Sequence, residues 1–511
     1  MNRRELLKAG VVLAAGIPRG AHRLAWAEDA ALEAKLARDP RRPQFHLLPK
    51  RNWTNDPNGP VFWKGQYHMF FQYNPDGAYW GDMHWGHAVS EDMVHWKHLP
   101  VALAPTPGGP DAQGCFSGTA VIDGDAVAVL YTGVVSAPES EATLRDGVHS
   151  LRETQCLATS DDPELKVWKK RALPVIAAPP KRMRETGFRD PSPWRQGDVW
   201  YMTVGSGVEH EGGEVLLYRS KDLRHWEYLH PVASGVGAGK AAANPVDTGD
   251  MWECPELFPL GGKHVLIYSA RGKVHWQSGV LDEKAMRFHP DRYGELDYGT
   301  YYAAKTQLDR DGNRIVWGWI NETRPLAEYK AAGWAGLMSL PRVLTLRGDG
   351  TLGMEVASAM RELSEGEKRL KPGADVKAEC RRLAVRSATG EMLASFAVGR
   401  AFTAELVGRL ASGEMKAPVL TLQCDPVDRD AVKVDGVRVS IAAGDAVEVH
   451  IYIDGSVAEL IVNRSAAFTK RFYYAGSEAP EVRLWVDGPA GALRDLRVWG
   501  LKAISRDRLT T

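Results

Sequence analysis

The sequence predicts an all-β protein: a five-bladed β-propeller followed by a C-terminal β-sandwich. Three observations carry this. From about residue 40 to 346 the chain is strand-like, broken by Gly, Pro and Asp, with no long amphipathic helix. Within that region a β-rich segment recurs five times, at residues 66–73, 126–133, 198–205, 263–270 and 313–320. Such recurrence without helical crossovers fits blades with inserted loops better than one sandwich of short strands. After Leu346 the texture changes, and from about residue 372 to 511 alternating apolar–polar runs return with turn residues between them.

Taken in order, residues 1–27 read as a targeting segment. Arg3 and Arg4 precede a short apolar run at 9–17, and Ala25-Trp26-Ala27 offers an A-x-A cleavage pattern. The run is too short to span a bilayer. The paired arginines resemble a bacterial twin-arginine signal, so a periplasmic or extracellular location is expected. In the blade region, residues 90–96 and 220–226 share an S-x-D-[ML]-x-H-W frame, and 160–168 is a looser copy. Residues 347–371 read as a linker whose stretch at 358–370 is the best helical candidate. In the sandwich, Asp454-Gly455 between two alternating runs signals a hairpin.

Composition excludes some partners. With 64 basic and 64 acidic residues the chain has no net field for nucleic acid or an anionic membrane, so a neutral partner fits better. Five scattered cysteines (Cys115, Cys156, Cys254, Cys380, Cys424) show neither metal-site spacing nor a disulfide framework. His84 and His87 at i, i+3 face opposite sides of a strand, so structural hydrogen bonding is expected of them rather than metal binding.

Three acids hold matching places in three repeats. Asp56 in "WTNDPNG" precedes the first β-rich segment, Asp190 in "GFRDPSPW" the third and Glu253 in "MWECPELF" the fourth. Each is followed within two residues by proline. Equivalent positions of successive blades lie on a ring, so the three carboxylates are expected to converge at one end of the central channel. Such a cluster could bind a hard cation or cleave a glycoside. Asp56 lacks the alternating acids of a calcium loop, and no metal or cofactor is expected. Asp56, beside Asn55 and a Pro-Asn-Gly turn, should be ringed by hydrogen-bond donors and stay ionised, as a nucleophile must. Glu253, between Trp252 and Cys254, is expected in an apolar surrounding suited to a general acid. Carboxyls about 5 Å apart would mean retention through a covalent intermediate.

The ordered blocks "WTNDPNG", "QYNP", "HWGHAVSEDMVHW", "FSGTAV", "FRDP" and "ECPELF" resemble those of glycoside hydrolase family 32, the family of invertases, levanases and inulinases. "DYGTYYAAKTQ", "GWAGLMSLPRVL" and "IYIDGSVAELIVN" extend the resemblance towards the C-terminus. It implies hydrolysis of β-fructofuranosidic bonds in sucrose or fructans such as levan or inulin. It assigns Asp56 as nucleophile, Glu253 as acid/base and Asp190 as transition-state stabiliser. Asn55, Gln72, Trp80, Phe116, Ser117 and Arg189 match positions lining the fructose pocket, and Asp297 and Trp334 match more loosely. Thr54 departs from the pattern, standing where an apolar residue is usual. A fructosyltransferase using the same site, or a fructan-binding propeller without catalysis, are the alternative readings. The partner implied is a neutral fructose-containing saccharide.

Overall fold

Five sheets of four or five strands, antiparallel except for one short parallel pair, stand around a common axis. The computed structural model describes residues 30–145, 147–181, 185–235, 249–371 and 375–509; the expected export segment lies outside them. The innermost strands of the blades are Asn52–Trp63, Gly114–Asp123, Glu185–Gln196, Glu253–Leu260 and Tyr302–Leu308, and they pack side by side around the axis. The five recurring segments form the second strands, Gln66–Asn74, Ala126–Ser136, Val199–Val208, Lys263–Ala270 and Arg314–Ile320. Trp334–Ala335 pairs with Asn52–Trp53 while Leu337–Met338 pairs with the fifth blade, tying the last blade to the first.

The S-x-D-[ML]-x-H-W frame is the turn into the outer edge of the first and third blades. Asp92 accepts the backbone N–H groups of Val94 and His95, and Asp222 those of Arg224 and His225. The next residue turns left-handed (Met93 φ 65°, Leu223 φ 61°), and the Trp indole closes onto its carbonyl. The looser copy obeys the same plan, with Asp162, Leu165 and Trp168. A fourth version that the frame does not reveal uses Asp282 and Met286.

Every inner strand slips register against its neighbour, between Thr54 and Pro57, Phe116 and Gly118, Arg189 and Ser192, Glu253 and Glu256, and Tyr302 and Lys305, and the first and third strands slip a second time. Bulges of this kind bend a strand and re-aim its side chains. Pro57, Pro191 and Pro255 lie at three of them, where proline has no N–H to give a ladder. At Gly118 any Cβ would fall 2.0 Å from the Leu130 carbonyl oxygen, so only glycine permits the approach.

Two expectations are corrected. The stretch at 358–370 is not a helix: a 3₁₀ turn, Ser358–Leu363, gives way to strand Ser364–Arg369, which pairs with Leu493–Leu501 in the sandwich. Its apolar residues Met360 and Leu363 fill the core at the propeller's edge. The fifth blade also runs past residue 346, its outer strand being Leu352–Val356.

The sandwich packs a six-stranded sheet against a seven-stranded one around a core that includes Phe396, Phe402, Leu460 and Leu484. Its Asp454 and Glu459 meet the propeller in a buried ionic cluster. Arg342 pairs with Glu459 and, at 2.8 Å, with Asp297, while His46 lies 2.8 Å from both Asp454 and Glu459. His87 is buried against His68 and His84 bonds the Asp82 carbonyl, the structural hydrogen bonding expected of them. All five cysteines are free thiols. Among the described residues no helix is long and apolar enough to cross a membrane.

Candidate active site

The three acids stand at the bulges of three inner strands, Glu253 at the first residue of its strand and Asp56 and Asp190 further into theirs. Asp56 accepts two neutral donors, Ser117 Oγ at 2.6 Å and Asn55 Nδ2 at 3.0 Å. Asn55 is itself fixed by the Trp53 indole at 2.8 Å. Glu253 has a different setting. Arg189 donates to Oε1 through Nη2 (2.6 Å) and Nε (3.0 Å), and the Tyr302 hydroxyl donates to Oε2 at 2.8 Å. Asp190 is buried at φ 64° and accepts the Cys254 backbone N–H at 2.9 Å. Cys254 and Ala303, at φ 49° and 52°, share this strained backbone region, which clusters at functional sites.

Electrostatics separate the acids further. Burial pushes the Asp56 carboxyl up, the Ser117 hydroxyl draws it back, the Glu253 charge adds to the rise and Asn55 opposes it. The expected ring of donors is therefore present, but burial outweighs it. Asp190 is pushed up to about 7, by burial first; the Arg189 cation opposes this, and Glu253 and Asp56 add to it. Cys254 is raised well above the usual thiol range by burial and by Asp190 and Asp56, so its thiol stays protonated. It sits 3.7 Å from Asp56 Oδ2 and 3.6 Å from Asp190 Oδ2, a weak donor shared by both. Tyr302 is likewise held as a neutral phenol, by burial and then by the Glu253 charge.

The remaining expectations divide. Phe116 and Trp80 form an edge-to-face wall with ring centres 5.9 Å apart, and Trp80 remains 39% exposed, open to a ligand. Gln72 lies close by, its amide bonding the Cys115 carbonyl at 2.9 Å. Thr54 departs from the family pattern harmlessly, since its hydroxyl bonds the Gln72 carbonyl. Asp297 and Trp334 are corrections. Asp297 is fully buried, bonded to Arg342 and Thr469 at the sandwich junction. Trp334 is fully buried too, its indole bonded to Asp39 and its ring faced by Arg324. Neither is open to a ligand. Glu253 also differs from expectation, being held by a cation and a phenol and not by apolar walls.

Sequence reasoning missed Tyr302 and Glu153. Tyr302 opens the fifth inner strand at its bulge, as Glu253 opens the fourth, so phasing the repeat would have found it. Glu153 comes from the third strand of the second blade, takes Arg189 Nη1 at 2.9 Å and accepts the Phe188 N–H. No repeat position marks it.

Two half-buried carboxyl groups with unlike partners, set on inner strands of one propeller beside an exposed aromatic wall, fit the site of a glycoside hydrolase. Comparison with known proteins agrees. Residues 46–355 match the glycosyl hydrolases family 32 N-terminal domain. A sucrose-6-phosphate hydrolase of Escherichia coli is 32% identical over 90% of this chain and 94% of its own. A raffinose invertase of the same species is also 32% identical, over 90% and 95%. Among solved structures, a Bombyx mori GH32 β-fructofuranosidase superposes with a TM-score of 0.74 at 29% identity, covering 95% of this chain and 99% of that one. A fructan 1-exohydrolase IIa of Cichorium intybus gives 0.71 at 26% identity, covering 91% and 98%. The chain belongs to glycoside hydrolase family 32, and its activity is that of a β-fructofuranosidase.

Proposed function

We propose that the enzyme cleaves neutral β-fructofuranosides by double displacement, with Asp56, Glu253 and Asp190 as its working acids. A carboxylate oxygen of Asp56 bonds to the anomeric C2 of a fructosyl unit as the C2–oxygen bond to the leaving group breaks. Glu253 gives that departing oxygen its proton. Glu253 then takes a proton from water, which attacks C2 and frees Asp56. Asp190 receives hydroxyls of the sugar and favours the positive charge that develops on the ring. Asn55, Ser117 and Arg189 hold the acids, Gln72 lines the fructose pocket, and Trp80 with Phe116 forms the apolar wall.

The observation that carries this reading is the contrast between Asp56, bonded only by neutral donors, and Glu253, oriented by Arg189 and Tyr302. A neutral sugar is favoured over a phosphorylated one because Arg189, the guanidinium beside the acids, is already engaged by Glu253 and Glu153. The chain is exported, on the strength of its paired arginines and the Ala25-Trp26-Ala27 pattern.

Reducing-sugar release from sucrose, sucrose 6-phosphate, levan and inulin tests the substrate class. Turnover of sucrose or a fructan is expected, and activity confined to the phosphate ester would overturn the neutral-sugar reading. Asp56→Ala and Glu253→Ala should each lower kcat by roughly 10³-fold or more while the chain stays folded. Near-normal kcat in either would contradict its role. By NMR, the first fructose released should be the β anomer, and prompt α product would exclude a double displacement.

A further inference from the structure

Below the acids the channel carries a second polar layer. Two or three residues further along the inner strands stand Asn58, Thr119, Ser192, Glu256 and Lys305, all buried. Lys305 is wholly enclosed and supplies the cation of this layer. Its Nζ donates to Thr119 Oγ1 at 3.2 Å and lies 3.8 Å from Glu256 Oε1, beyond hydrogen-bond reach. Glu256 is held instead by the Thr306 N–H on Oε2 at 2.7 Å, and its Oε1 has no hydrogen-bond partner. An enclosed ammonium so loosely paired is costly unless other anions share it. The anions above it are those of the active site.

The charges around this axis explain why a cation is needed. At the upper level Asp190, Glu253 and Glu153 face one guanidinium, Arg189, and Asp56 stands beside them without it, while Cys254 and Tyr302 stay neutral. At the lower level Glu256 faces Lys305 and, from the second strand of the fifth blade, Arg314. Arg189 is bonded to Glu253 and Glu153, so it does not directly serve Asp56.

We propose that Lys305 is a positioning residue for the nucleophile, a buried ammonium in the layer next to the acids that keeps Asp56 ionised for attack, its charge partly offset by Glu256. The inference rests on Asp56 being the nucleophile. Lys305 is also among the charges that draw Asp56 and Asp190 down against burial. Its place on the strand follows from the bulge between Tyr302 and Lys305, which lets Tyr302 reach Glu253 while Lys305 reaches Thr119.

The test is the acidic limb of the kcat/KM pH profile, which reports ionisation of the essential base in the free enzyme. Lys305→Met should move that limb to higher pH by on the order of one unit. Glu256→Gln, which frees the ammonium from its partner, should move it to lower pH. The double variant Lys305→Met/Glu256→Gln removes the pair without leaving a buried charge and should again show the raised limb. A purely structural role would lower kcat at every pH and leave the limb in place. An unmoved limb in the double variant, or both single variants shifting it in one direction, would overturn the proposal. Asp56→Ala is assayed alongside: if it is inactive while the limbs stay put, this inference falls alone, whereas an active Asp56→Ala overturns the nucleophile assignment beneath it.

Discussion

Asp190 shows what a buried acid costs a fold. Its carboxyl is pushed up to about 7, so at pH 8 the folded protein must hold it ionised against its preference. The folded state binds a proton more tightly than the unfolded one. This group therefore leaves stability untouched below about pH 4 and erodes it as pH rises towards 7. Asp190→Asn should lose most activity yet gain roughly 2–4 kcal/mol at pH 8, a gain that vanishes by pH 4. Chemical denaturation at the two pH values checks this, and equal ΔΔG at both would contradict it. Tyr302→Phe removes a donor from Glu253 Oε2, and a fall in kcat/KM of about tenfold is expected, with the fold intact. At this scale the acids were legible because D-P and E-C blocks stand out in a sequence. Tyr302 was hidden within the run 297–307, and Glu153 comes from the third strand of its blade, whose partner becomes visible only when blades meet.

The strand-to-strand turns and the bulges have different tasks. The turns built on Asp92 and Asp222 hold the outer edges of blades and lie apart from the acids. Asp92→Ala, which loses the Val94 and His95 N–H bonds, should lower stability by about 1–2 kcal/mol and leave kcat unchanged. Thermal denaturation and turnover measured together decide it, and an unchanged Tm would refute the account of the turn. The bulges instead aim the chemistry, since each inner strand breaks register where a functional side chain stands. The repeat of second strands was readable from alternation and spacing. The inner strands were not, because prolines and polar residues make them look like loops. Residues 358–370 misled for the converse reason: Met360 and Leu363 are spaced as on a helix face but serve a single 3₁₀ turn against the core.

Propeller and sandwich are joined by charges sealed from water, and that junction is pH-sensitive. Burial alone would push the His46 imidazole down, but its bonds to Asp454 and Glu459 prevail and raise it to about 9. A raised imidazole contributes stability that is complete below about pH 6.5 and is lost as pH rises through 9. The Tm should accordingly fall between pH 7 and pH 9.5, and His46→Gln should flatten that slope. A slope unchanged in the variant would place the effect elsewhere. The same junction explains why Asp297 and Trp334 misled the sequence reading. Their motif blocks serve interdomain packing, which a linear pattern cannot tell from a binding pocket. The most direct test of the whole account is mass spectrometry of Glu253→Ala after exposure to a fructoside with a good leaving group. Without its acid/base, the enzyme should accumulate one fructosyl unit on the peptide carrying Asp56. A fructosyl unit on any other residue would contradict it.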